Sequence, residues 1–134
     1  MDKLAKDYLK RANIRLEILR ILYEKKDYPD VVREAQEVVG LALKAVLRNL
    51  GVEVPRMHDV SRILEKYKNM LPKEISSNLN KIKRISKRLR KERELSFYGA
   101  DDFIPLEEYD REEALKAVKD AEFVVNTILR AYEK

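Results

Sequence analysis

Seven residues, three glycines and four prolines, do most to limit what this 134-residue chain can become. A β-sandwich needs turn residues at short intervals, and seven breakers are too few to supply them. They also cluster. Pro29, the stretch from Gly51 to Pro55, Pro72, and the stretch from Gly99 to Pro105 cut the chain into five segments. Within the segments, apolar residues recur three and four positions apart, the spacing that gathers side chains on one face of a helix. Hydrophobic residues make up 45% of the chain, more than a disordered sequence carries. The expected fold is all-α: an antiparallel up-and-down bundle of about five helices in a single domain covering residues 1–134.

The first segment, from about Asp2 to Lys26, carries Leu4, Tyr8, Leu9, Ala12, Leu16, Leu19 and Tyr23 on one face. The second follows Asp27-Tyr28-Pro29, with Pro29 suited to the first helical turn, where its missing N–H is not needed. Val32, Ala35, Val39, Ala42, Val46 and Leu50 form its stripe, flanked by Val38, Leu41 and Ala45. So wide an apolar arc predicts the most buried helix of the bundle. Gly40 costs this helix about 1 kcal/mol relative to Ala and is expected to admit a close neighbour, while Gly51 fits its C-terminal stop.

The third helix, about Asp59 to Met70, turns Val60, Ile63, Leu64 and Tyr67 inward behind Asp59 as N-cap. The fourth starts near Pro72 and presents Ile75, Leu79, Ile82, Ile85 and Leu89. The fifth follows Asp110, whose spacing to Glu113 fits the N-cap to N3 relation. Its apolar face holds Ala114, Ala117, Val118, Ala121, Val124, Val125 and Ile128, with Tyr132 one turn on. The longest loop is Tyr98 to Tyr109.

The net charge of +5 conceals a segregation. Residues 73–93 hold 9 basic and 2 acidic side chains, whereas residues 94–134 hold 5 basic and 11 acidic ones. A basic stretch of this density either binds phosphates or packs against the acidic C-terminal helix and is neutralised within the fold. On helix four, Lys81, Arg84, Arg88 and Lys91 form one row, and Lys83, Lys87 and Arg90 a second. Such rows suit a phosphate backbone, where each neutralised charge releases counterions. No aromatic side chains alternate with them as a stacking platform would require. Arg93 continues the line Leu79, Ile82, Ser86, Leu89 and so points toward a groove or interface. There it needs a carboxylate of this chain, a second copy or a phosphate as partner. Tyr98 either closes the core or meets a ligand beside Arg93.

Composition excludes several chemistries. With no Cys and one His, the chain has no disulfide framework, no thiolate nucleophile, no Cys-ligated zinc and no histidine pair for a metal. The expectation is no metal and no cofactor. No Gly-rich phosphate loop or Ser-His-Asp spacing is legible. His58, beside Asp59, reads as a local hydrogen-bonding residue at a helix start. The longest apolar run, Val38 to Leu43, is far short of the ~18 residues of a membrane helix. With no signal pattern at the start, a soluble cytoplasmic protein is expected, and the charge-rich surface fits a thermophilic one.

Asp27-Tyr28, Val31-Val32, Ala35, Leu43-Lys44-Ala45, Gly51, Pro55 and His58 together resemble the HEPN domain family, as does the ending Arg90-Lys91-Glu92-Arg93-Glu94-Leu95-Ser96-Phe97-Tyr98-Gly99. The likeness covers nearly the whole chain, and the ending also resembles compact archaeal and bacterial members of the family. It implies a helical bundle that commonly dimerises and often works beside a minimal nucleotidyltransferase in a two-component or toxin–antitoxin system. Ribonuclease members carry an Arg and a His separated by four to six residues at a dimer cleft. Arg93 matches that arginine, with Glu94 next to it, but Tyr98, Gly99 and Ala100 stand where the His would fall. Without an imidazole the group best placed to exchange protons near neutral pH is missing.

Three functions follow as expectations. The first is a non-catalytic, dimeric HEPN-type protein binding a nucleotide, an RNA or a nucleotidyltransferase partner through Lys81, Arg84, Lys87, Arg88, Lys91 and Arg93. The second is a divergent metal-independent endoribonuclease in which Arg93 orients phosphate and Glu94 or Tyr98 moves protons. The third is a structural module that recognises a partner helix.

Overall fold

Asp2, Asp27 and Asp110 each accept a hydrogen bond from the backbone N–H three residues on, at Ala5, Asp30 and Glu113. Each caps one of the long helices α1 (Lys3–Glu24), α2 (Tyr28–Asn49) and α7 (Arg111–Tyr132). A fourth long helix, α5, spans Leu79–Phe97. Short helices α3 (Val60–Lys66), α4 (Lys73–Ser76) and α6 (Pro105–Glu108) and a 3₁₀ turn at Lys68–Met70 complete the regular structure. This computed structural model describes residues 1–53 and 60–133, and of Arg93, Glu94, Leu95 and Phe97 only the backbone. Asp59 and His58 therefore lie outside the described residues.

The long helices run up and down. Arg48 near the end of α2 reaches Asp2 at the start of α1, and Arg15 of α1 meets Glu34 of α2 at 2.7 Å, so the two are antiparallel. Arg111 at the start of α7 donates to the Tyr23 hydroxyl near the end of α1, which sets α7 antiparallel to α1. Lys81 lies over Phe123, and the Tyr109 hydroxyl donates to Glu92, which sets α5 antiparallel to α7.

Helix α2 is the hub, packing against α1, α5 and α7, while α5 and α7 touch only sparingly. Its stripe is buried from Val32 to Val46, with Leu41 and Leu50 half-buried, and Val31, Leu43 and Leu47 are buried as well, so the helix is apolar around most of its circumference. Burying one such Leu or Val side chain contributes about 1.5–3 kcal/mol. Glu34 is buried among them only because Arg15 neutralises it.

Four expectations change. The single fourth helix is two, because Ser77 Oγ and Asn78 Nδ2 bond back to the carbonyls of Lys73 and Glu74 and end α4 after one turn. The all-α bundle stands as expected, with four long and three short helices among the described residues where about five were expected. The long loop is also structured, with Pro105 opening α6 and Ala100 pairing with Phe103 through two backbone hydrogen bonds. Gly99 makes that turn possible, since its φ is +70° and a Cβ there would sit 2.5 Å from the Phe103 carbonyl oxygen. Leu4 does not join the core; it is 39% exposed, on the flank of α1 away from Ala5 and Leu9. Gly40 admits no close neighbour either, because a Cβ there meets nothing nearer than Gln36 Nε2 at 3.9 Å.

A methyl group at Gly40 therefore fits, and Gly40→Ala is expected to stabilise the chain by about 0.5–1 kcal/mol through helix propensity. Denaturant unfolding measures this, and a loss of stability would show that the position is crowded. At the start of α2, the hydrogen bond to Asp27 is the main cause, with burial second, of an Asp30 carboxyl pushed up to about 6. The folded chain thus keeps a proton that the unfolded chain releases near the ordinary value of 3.8, so this group makes stability fall as pH rises between the two. Asp30→Asn should leave stability unchanged near pH 4 and raise it progressively to a plateau near pH 7, about one unit above the Asp30 value. Thermal melts across that range check it, and a pH-independent difference would contradict the shared proton.

Candidate phosphate-binding face

Helix α5 seats Leu79, Ile82, Ile85 and Leu89 in the core, and the remaining positions carry its cations outward. The two predicted rows do not survive intact. Arg88 turns onto Asp120 of α7 and forms an ion pair with it. Asp120 is a buried carboxylate set among Ala117, Val118, Ala121 and Val124. Burial beside it pushes the Arg88 guanidinium below its usual value. Arg88 is thus committed within the fold and is the least available of the predicted phosphate-binding residues whose side chains are described. Lys83 Nζ lies 3.2 Å from Glu65 of α3, a half-exposed pair. Lys81 rests its ammonium 3.9 Å from the centroid of the Phe123 ring, which keeps the charge at the surface while anchoring the side chain.

What remains is a narrower set. Arg84, Lys87, Arg90 and Lys91 are exposed and form no ion pair with a described residue. Arg84, Lys87 and Lys91 follow one another at three- and four-residue steps on the side of α5 opposite Ile82 and Leu89. They span about 10 Å of helix axis. The alternative, neutralisation by the acidic C-terminal helix, reaches one arginine among the described residues. Glu122 of α7 pairs instead with Arg20 of α1, and Glu112 and Glu113 are exposed in the first turn of α7.

The end of α5 is tied down from below. Tyr109, buried beside Phe103, donates its hydroxyl to Glu92 Oε2 at 2.7 Å. Burial first, and then this bond to a carboxylate, push the phenol above its ordinary value. Tyr98 does not close the core, being 74% exposed. Arg93 and Glu94 occupy the last turns of α5, and their side chains lie outside the described residues. Among the described residues, no group of three or more His, Asp or Glu is placed to hold a metal, and no helix is long and apolar enough to cross a membrane.

Sequence reasoning missed the partners: Glu65, Asp120, Phe123 and Glu92. Asp120 had a visible signal, a carboxylate inside the apolar arc of α7, but only the packing of α5 beside it selects Arg88. Because that pair is half-exposed on the arginine side, its coupling should be modest, about 1 kcal/mol. A double-mutant cycle of Arg88→Gln and Asp120→Asn measures it by denaturant unfolding. Asp120→Asn is expected to destabilise on its own, and additive single variants would contradict the pairing.

Comparison with known proteins agrees with this architecture. The family model described as HEPN domain matches residues 5–132. A protein of Methanocaldococcus jannaschii named "Putative toxin MJ1304" is 33% identical over 132 residues, covering 94% of this chain and 86% of the relative. No solved structure matches the chain. With a family match across almost its whole length and an archaeal relative aligned over nearly as much, the chain belongs to the HEPN domain family.

Proposed function

We propose that this chain is the toxin-type component of a toxin–antitoxin-type pair and that the outward face of α5 engages the phosphates of RNA. The observation that carries the reading is the row Arg84, Lys87 and Lys91, joined by Arg90: cations with no described counter-ion on a rigid helix whose other face is locked in the core. A fixed row gives up little freedom on binding, and each phosphate it neutralises releases counterions. The relative named as a toxin supports the wider assignment. Family resemblance adds a second copy of the chain and a minimal nucleotidyltransferase as protein partners. An adjacent gene for such a protein would support that part, and co-purification would test it.

Binding rather than cleavage is the preferred reading. From Arg93 to Ala100 the chain offers no imidazole, the side chain most often used for proton exchange near neutral pH. RNA cleavage that disappears in Arg93→Ala with the fold intact would favour the ribonuclease reading instead.

The direct test is fluorescence anisotropy with a short single-stranded RNA across a salt series. With four contacts the logarithm of the binding constant should fall against the logarithm of salt with a slope of about −3. A variant carrying Arg84→Gln, Lys87→Gln and Lys91→Gln should lose about 2 from that slope, whatever the RNA sequence. No binding at low salt, or an unchanged slope in the variant, would overturn the assignment to this face.

A further inference from the structure

Tyr98 and Leu106, 74% and 67% exposed, are the most exposed large hydrophobic side chains among the described residues, and Ile104 is 47% exposed. All three lie just past the end of α5. A Cβ at Gly99 would sit 2.6 Å from the Pro105 ring, so the residue after Tyr98 packs directly against the one between Ile104 and Leu106. The backbone beneath them is fixed. Ala100 and Phe103 exchange two hydrogen bonds, the Phe103 ring meets Tyr109 edge-on, and Tyr109 is tied to Glu92 of α5. Apolar side chains gathered on a turn held this way mark an interaction surface, and covering them costs little ordering.

The charges around them identify what fits. Between Tyr98 and Tyr109 the chain has four acidic side chains, Asp101, Asp102, Glu107 and Glu108, and no basic one. All four are exposed, and none forms an ion pair with a described residue. Glu112 and Glu113 extend the acidic rim into α7, where Arg111 is turned onto the Tyr23 hydroxyl. RNA or an anionic lipid surface would meet like charge here. A cationic segment with an apolar face meets its complement: the face covers Tyr98, Ile104 and Leu106 while its Lys and Arg side chains reach the rim. A second copy of this chain supplies only halves of that chemistry. Its cations lie on α5, where no exposed side chain among those described is apolar. Its exposed isoleucines, Ile14, Ile18 and Ile21 of α1, sit among charges of both signs, Asp7 and Glu17 beside Lys10, Arg11 and Lys25.

We infer that the acidic, apolar turn carrying Tyr98, Ile104 and Leu106 is a docking surface for a basic amphipathic segment of another protein. No residue of the cationic row on α5 takes part, so this inference and the RNA reading can fail separately. The test is fluorescence anisotropy of the full chain with a labelled amphipathic Leu/Lys peptide of about 14 residues, ~21 Å long as a helix. Leu/Glu and Ser/Lys peptides of the same pattern serve as controls, and only the Leu/Lys peptide should bind. Leu106→Ser should weaken that binding about tenfold with helicity and melting temperature unchanged, whereas Ile18→Ser on α1 should leave it as it was. Asp101→Asn, Asp102→Asn, Glu107→Gln and Glu108→Gln together should remove most of its salt dependence. No binding of the Leu/Lys peptide at low salt, equal binding of either control, or binding that survives Leu106→Ser would overturn the inference. A dimer in sedimentation equilibrium that Leu106→Ser dissociates would also overturn it, by assigning the surface to a second copy.

Discussion

Burial of α2 on nearly every side is the constraint from which the remaining structure follows. A helix with Val31, Val38, Leu43, Val46 and Leu47 all fully buried cannot be satisfied by one neighbour. It needs helices around its circumference, and α1, α5 and α7 take those places. Each outer helix then needs only one apolar face of its own, and its other side is free to vary. That division explains how a chain with 40% charged residues can hold a continuous core. The buried carboxylate of Glu34 on α2 is matched by Arg15 of α1.

The freedom of the outer faces is what the chain uses. On α5 the free side carries cations, and the fold uses up two of them: Arg88 on Asp120 and Lys83 on Glu65. Those ties, with Lys81 lying over Phe123, fix the helix against α3 and α7 while Arg84, Lys87, Arg90 and Lys91 stay outward. At its far end the Tyr109–Glu92 bond holds the turn that presents Tyr98 to solvent. On α1 the free side carries isoleucines, a surface of different chemistry.

The long helices were legible from sequence because their signal is periodic and collective. Removing one residue from the stripe of α2 or α7 leaves the pattern standing. Local polar decisions were not legible. The break between α4 and α5 depends on two side chains, Ser77 and Asn78, capturing carbonyls that a continuing helix would have used. Leu4 fits the spacing rule for α1 but sits at the edge of the arc, where a small rotation decides between core and solvent. The three exposed isoleucines of α1 went unnoticed because the stronger inward stripe already accounted for the helix. For the candidate site, sequence identified the basic helix but overcounted its available charges. Arg88 and Arg84 look equivalent on a helical projection, and only the carboxylate on α7 separates them.

Residue-resolved NMR titration of the chain with a short single-stranded RNA at low salt tests the central claim most directly. The account predicts that shift changes concentrate on the amides and side chains of Arg84, Lys87, Arg90 and Lys91, with Arg88 little affected behind its ion pair. Changes centred on another helix, or none at all under conditions that favour phosphate binding, would contradict it.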